Sequence, residues 1–270
     1  MSIKGATDLK KEYSRFADSN VFEGIVSLRT LISVMTSLDK RNDRRILKVL
    51  YDKERAEKEK KELSWLRHRA DELGFDIELT DRDVIDDISV GNTHGGIIAF
   101  CTERGFEKPC DEHISDNGFY IMLDGIEDPY NFGYALRSLY AAGVDGILLG
   151  KRNWMSAAGV VCRASAGASE LLDIFICEDP EKSVRYFKNK GYEIVCTDIE
   201  NSVPMYDCPL EKPLLVVIGG EKRGISRSIL SLSDNIVRID YGREFGASLS
   251  AASAATVVGF EVLRQSKYNK

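Results

Sequence analysis

No apolar run in these 270 residues approaches the ~20 that a membrane-spanning helix needs. The first stretch, Met1 to Ser19, is polar and charged, with no apolar core of a secretory signal, so the expected location is cytoplasmic. Six cysteines (Cys101, Cys110, Cys162, Cys177, Cys196 and Cys208) form no C-x-x-C pair, and His68, His94 and His113 have no metal-ligand spacing to them or to one another. That argues against a zinc site or a disulfide framework and leaves buried free thiols as the expectation; no metal is predicted. A net positive charge is missing too: the balance is −6, which argues against a basic coat for nucleic acid. The chain also has no G-x-G-x-x-G fingerprint and no Gly-Lys-Ser/Thr loop, so dinucleotide and triphosphate folds lose their usual signatures. It shows no internal repeat and no low-complexity segment.

What is present is enough for a full core. Hydrophobic residues make up 43% of the chain, and its length suits one large domain or two smaller ones. Charge is unevenly spread. Residues 40–70 hold twelve Lys/Arg against six Asp/Glu. Arg41, Arg44, Arg45 and Lys48 in this segment are candidate RNA-phosphate contacts, although i,i+4 pairing on a solvated helix face explains such a pattern equally well. After a lead-in over residues 1–20, residues 21–102 read as a small α/β unit: an amphipathic helix from Val21 to Leu38, a strand at Arg45–Tyr51, one long charged helix from Lys53 to Leu73, a strand at Phe75–Leu79, a helical turn at Asp81–Ile88, and a strand entered through Gly95 and Gly96. Residues 103–118 are polar, with Pro and Gly punctuation, and read as a linker. From 119 to 270 strands and helices alternate, the pattern of a parallel sheet covered on both faces. Ala157 to Leu172 reads there as one helix of small residues.

Three stretches of this second part carry the chemistry. The first is an apolar strand, Phe119–Leu123, then Asp128-Pro129, then a helix in which Asn131 is a candidate cap, Arg137 lies in the second turn and Gly143 is the stop. Its position at the C-terminal end of a strand is where open α/β sheets place ligands. The second is Leu214–Ile218 running into Gly219-Gly220-Glu221-Lys222-Arg223-Gly224. Its glycines permit positive φ and close approach of a backbone to a ligand. The third runs from Val237 through Ile239 to Ser248-Leu249-Ser250-Ala251-Ala252, a strand and loop leading into a helix of small residues. Each alone is compatible with an ordinary strand–turn–helix.

Together, and in this order, they resemble the SpoU (TrmH-like) RNA 2′-O-ribose methyltransferases of the SPOUT superfamily. Asn131-Phe132-Gly133 with Arg137 is similar to motif one (N-x-G-x-x-x-R), Gly219 to Gly224 to motif two (G-x-E-x-x-G), and Ser248-Leu249 to motif three. Arg163-Ala164-Ser165-Ala166-Gly167-Ala168 resembles the family's Ser-x-Gly-Ala segment. The N-terminal unit, ending in Asn92-Thr93-His94-Gly95-Gly96-Ile97, resembles the L30e-like RNA-binding domain often fused ahead of the catalytic one.

The resemblance implies an α/β fold with a parallel-sheet SPOUT domain tied in a trefoil knot, behind a small L30e-like domain. It implies S-adenosyl-L-methionine as cofactor, held largely by backbone at Gly219, Ile239 and Leu249 with Thr197 beside them. It implies methyl transfer to a ribose 2′-hydroxyl of rRNA or tRNA by a homodimer. Arg137 is the implied base, or alternatively a clamp on phosphate and developing alkoxide, since guanidinium normally keeps its proton. Asn131 is implied to orient it, and Glu221 to sit at the loop edge. Motif three usually reads S-L-N-V-S. Here Ser250 stands in place of the Asn, with a shorter reach, and the loop from Ile239 is about one residue longer. An alternative is therefore a catalytically impaired relative that binds RNA without methylating it. His94 is expected to be a satisfied loop histidine, and Trp154, after Lys151-Arg152-Asn153, a packing residue rather than a base-stacking one.

Overall fold

The computed structural model describes residues 20–38, 41–91, 93–150, 157–220 and 224–268. In chain order the first elements are β1 (Val21–Glu23), α1 (Gly24–Thr36), β2 (Ile46–Asp52), α2 (Lys53–Lys58), α3 (Lys60–Leu73), β3 (Asp76–Thr80), α4 (Arg82–Ile88) and β4 (Ile97–Cys101). Next come β5 (Phe119–Asp124), α5 (Pro129–Ala142), β6 (Gly146–Gly150), α6 (Ala158–Ala164) and α7 (Ala168–Leu171). The remainder are β7 (Ile174–Cys177), α8 (Pro180–Asn189), β8 (Glu193–Thr197), β9 (Val203–Pro204), β10 (Leu214–Gly219), α9 (Arg227–Leu230), β11 (Asn235–Arg238) and α10 (Ala251–Tyr268).

Two compact units result, and they are not contiguous in sequence. The first takes the described residues up to Gly105 together with 157–171; the second takes the rest. In the first, a four-stranded sheet has the order β1-β4-β2-β3, with β1 and β2 antiparallel to β4 and β2 parallel to β3. Phe22, Leu28, Leu31, Val49, Tyr51 and Leu66 form its core, and Cys162 of α6 belongs to the same cluster. Val21 to Glu23 is a buried strand, not the first turn of the expected helix. Val26 and Leu38, apolar residues of the expected amphipathic helix, are exposed. The long charged helix is broken at Glu59, whose φ of −108° and ψ of 50° separate α2 from α3.

The small-residue segment 157–171 is also two helices. Ala166 and Gly167 interrupt it with φ of 52° and 91°. Its glycines serve packing within this unit: a Cβ on Gly159 would lie 1.9 Å from the Val21 carbonyl oxygen, and one on Gly167 would lie 2.1 Å from Thr30 Oγ1. The expected linker is anchored. The Arg104 guanidinium donates to the Ser169 carbonyl at 2.7 Å, and Glu107 forms a parallel bridge to Phe175, extending the β7 edge.

The second unit is a seven-stranded sheet of order β7-β6-β5-β10-β8-β11-β9, with every pairing between its strands parallel. The apolar runs of β5, β6, β8 and β10 are buried on both faces, as a parallel sheet requires. Tyr120, Met122, Phe175, Phe187, Tyr192 and Leu215 fill one face under α8 and α9. α5 and α10 pack against each other, with Gly259 against Leu139 and Ala142. All six cysteines are free, and five are buried. Burial raises the Cys177 thiol to about 11 and the Cys196 thiol to about 12.

Candidate active site

The site lies in the second unit, at the C-terminal ends of adjacent parallel strands. There β8 ends at Thr197, β10 at Gly219, and the chain leaves β11 through Ile239. These three residues and Leu249 line one cleft of about 700 Å³, so the four residues expected to hold a cofactor are brought together. Its walls are apolar at Ile218, Val237, Ala251 and Ala254. Thr197 Oγ1 donates to the Val217 carbonyl at 3.4 Å. Among the described residues no hydrogen bond engages the Ile239 main chain, which leaves its N–H and C=O for a ligand. Leu249 differs: its N–H donates to the Tyr241 hydroxyl at 2.9 Å, leaving only its carbonyl open. Tyr241 was not singled out from the sequence, and no motif signals it.

The positive φ expected of this loop is found at Gly224, and its other glycines bring backbone close to backbone. Gly224, at φ +60°, closes a tight return on which its N–H donates to the Gly220 carbonyl at 3.0 Å. A Cβ on Gly220 would stand 2.7 Å from the Gly125 carbonyl oxygen, and one on Gly219 2.8 Å from Gly224 carbon. Backbone presses on backbone here, and Gly125, at φ +100°, is part of the same requirement. Glu221 falls outside the described residues, as do Asn92, Lys151, Arg152, Asn153 and Trp154.

α5 begins where Asp128 caps it, the carboxylate accepting from the Asn131 N–H at 2.7 Å with Pro129 in the first turn. Asn131 is thus inside the helix and not its cap. Arg137 is exposed, and among the described residues it has no hydrogen-bond or ion-pair partner. Six positions separate Asn131 from Arg137, about 120° apart around the helix, so the two side chains do not meet along one chain. Ser250 caps α10: its hydroxyl accepts from the Ser253 N–H at 3.2 Å and bonds Ser253 Oγ at 3.0 Å.

The basic segment divides. Arg44 is 3% exposed; its Nε donates to Glu170 at 3.0 Å and its guanidinium lies 4.7 Å from the Phe22 ring centroid. A guanidinium so enclosed has no face to offer a phosphate, which corrects the expectation for this residue. Arg41 and Arg45 are exposed, and Lys48 pairs with Glu78 at 2.6 Å. His94 is buried, its Nδ1 accepting from the Gly96 N–H at 3.2 Å and its Nε2 lying 3.0 Å from Asp86. No group of His, Cys, Asp or Glu among the described residues is arranged to hold a metal ion.

This architecture and these motifs have known counterparts. A family model described as the SpoU rRNA methylase family matches residues 118–260, and one described as RNA 2′-O ribose methyltransferase substrate binding matches residues 33–106. The 23S rRNA (guanosine-2′-O-)-methyltransferase RlmB of Shewanella oneidensis is 32% identical over 212 residues, covering 77% of this chain and 86% of that protein. The protein of the same name from Photobacterium profundum is 29% identical over 201 residues, 72% of this chain and 80% of that one. Among solved structures, an AdoMet-bound rRNA methyltransferase from Sinorhizobium meliloti superposes with a TM-score of 0.75 at 21% identity, covering 97% of this chain and 94% of that one. The SpoU methyltransferase AviRb from Streptomyces viridochromogenes, in complex with AdoMet, superposes with a TM-score of 0.73 at 21% identity over 96% of this chain and 94% of that one. The chain therefore belongs to the SpoU rRNA methylase family, the S-adenosylmethionine-dependent RNA 2′-O-ribose methyltransferases.

Proposed function

We propose that this chain methylates the ribose 2′-hydroxyl of a guanosine in 23S ribosomal RNA, with its cofactor in the cleft of the second unit. The observation that carries the reading is the convergence of Thr197, Gly219, Ile239 and Leu249 on that one cleft. Its fit to S-adenosylmethionine rests on the donor set: unengaged main chain at Ile239 offers the paired donor and acceptor that an adenine edge needs, between apolar walls. Bound there, S-adenosylmethionine supplies an electrophilic methyl group on sulfur. Gly219 and Gly220 keep the loop low enough for the backbone to form the cleft wall. Arg137, exposed and unpaired among the described residues, acts as a clamp on RNA phosphate and on the developing alkoxide rather than as a base, because guanidinium does not give up its proton.

The working form is a homodimer built on α5 and α10. Tyr130, Tyr134 and Tyr140 of α5 and Phe260 of α10 are each 45–53% exposed, a large apolar display on two helices that pack together. Burying it against a second copy brings Asn131 of one protomer toward the active arginine of the other, which a single helix forbids. The expected trefoil knot belongs to the same reading: the segment after β11 runs past the cleft and re-enters as α10, packed on α5. Of the RNA-contact candidates, Arg41, Arg45 and Lys48 remain, with Lys48 weakened by Glu78.

The test pairs calorimetric titration of S-adenosylmethionine with methyl transfer to unmodified 23S rRNA and to tRNA. Wild-type protein is expected to bind the cofactor and to methylate rRNA. Arg137→Ala is expected to retain binding and to lose roughly 100-fold or more of the transfer rate. Transfer unchanged in the variant removes Arg137 from the reaction; transfer to tRNA alone moves the target.

A further inference from the structure

Beside the cofactor cleft is a second concavity of about 440 Å³, lined by Tyr241, Gly242, Arg243, Glu244, Phe245 and Leu249. It shares Tyr241, Phe245 and Leu249 with the cleft as lining residues, so the two are neighbours. The Tyr241 and Phe245 rings lie 6.2 Å apart, tilted by 59°, and are 41% and 64% exposed. Tyr241 is held in place through its hydroxyl by the Leu249 N–H. Arg243 and Glu244 are exposed at the same lip, and among the described residues neither has an ion-pair or hydrogen-bond partner. Elsewhere on this surface opposite charges are regularly paired, as in Lys188–Asp234 and Arg185–Glu181.

We propose that this concavity receives the base of the acceptor nucleotide, and that Glu244 selects guanine. The inference rests on the methyltransferase reading. A ribose whose 2′-oxygen reaches the cleft must carry its base within one nucleoside length of it, and this concavity lies beside the cleft, against the same three side chains. A base taken out of a stack needs an aromatic surface and a polar edge. Tyr241 and Phe245 provide the first. The Glu244 carboxylate accepts hydrogen bonds only, and guanine alone among the four bases presents two adjacent donors, N1–H and N2–H, to one carboxylate. Arg243 supplies the cation for a neighbouring phosphate.

The experiment titrates GMP, AMP and CMP into protein saturated with S-adenosylhomocysteine, read by saturation-transfer NMR. In parallel, S-adenosylmethionine affinity is measured by calorimetry and methyl transfer is assayed on 23S rRNA. Wild-type protein is expected to favour GMP roughly tenfold, the worth of a charged hydrogen bond. Glu244→Gln is expected to erase that preference, to lower transfer by a similar factor, and to leave S-adenosylmethionine affinity unchanged. Arg243→Ala is expected to weaken all three nucleotides alike. Equal binding of the three nucleotides by wild-type protein, or none, overturns the proposal, as does a Glu244→Gln variant that loses cofactor affinity, which would make the concavity part of the cofactor site. Selective GMP binding without methylation of rRNA upholds the base site and refutes the rRNA target instead.

Discussion

Arg44 and Arg45 are neighbours in one basic segment, yet their guanidinium groups end in opposite surroundings. Arg45 is exposed. Arg44 is enclosed by Phe22, the Glu170 carboxylate and the Thr102 carbonyl, to which it donates at 2.8 Å, while Asn42 donates to Glu170 at 2.9 Å. A carboxylate so buried depends on its cation. Arg44→Ala is therefore expected to cost about 3–5 kcal/mol, the penalty for leaving a buried charge unpaired, measured by urea denaturation. Arg45→Ala should leave stability unchanged and reduce the salt dependence of RNA binding by about one phosphate contact. A stable Arg44→Ala protein with a reduced salt slope would return Arg44 to the RNA surface. Composition and spacing could not separate the two residues, because the partner that claims Arg44 lies 126 positions away.

At the scale of elements, the strands were legible and the glycines were legible for a different reason. Runs such as Phe119–Leu123 and Leu214–Ile218 announce buried parallel strands by continuous β-forming apolar residues, and they are found within a residue of the expected bounds. Helix boundaries depended on local chemistry that spacing blurs. Asp128 takes the cap expected of Asn131, because its carboxylate stands three residues before the Asn131 N–H with proline following it. The break at Ala166–Gly167 falls where both residues take positive φ, and the close approach of Thr30 from another element is what leaves no room for a side chain at 167. The four expected cofactor residues were readable only through the family resemblance, whereas Tyr241 and Gly125 needed coordinates. Gly220→Ala tests the backbone contact. With 2.7 Å to the Gly125 carbonyl oxygen, the new methyl must displace the main chain at Gly125. The expected outcome is a loss of about 1–3 kcal/mol in stability together with weaker S-adenosylmethionine binding, seen by thermal denaturation and calorimetry. A variant unchanged in both would show that the loop moves freely.

For the whole molecule, the exposed tyrosines of α5 are where the proposed homodimer is tested. Tyr134→Glu places a charge in the middle of that display. Sedimentation velocity is expected to show a dimer for the wild type and a monomer for the variant, with methyl transfer falling alongside; a wild-type monomer that is fully active would remove the dimer from the mechanism. Part of the wider organisation follows from where the chain returns. Glu170, which completes the charge pair of Arg44, and Cys162, which completes the apolar core beside Leu28 and Leu31, come after β5, α5 and β6 in the sequence. A ribosome releases the chain from one end only. The first unit must then wait, its guanidinium unpaired and its core open, while two of the seven strands of the second unit's sheet emerge ahead of the residues that close it. Synthesis of the two units is thus interleaved, and a nascent chain arrested before residue 171 holds an unfinished first unit.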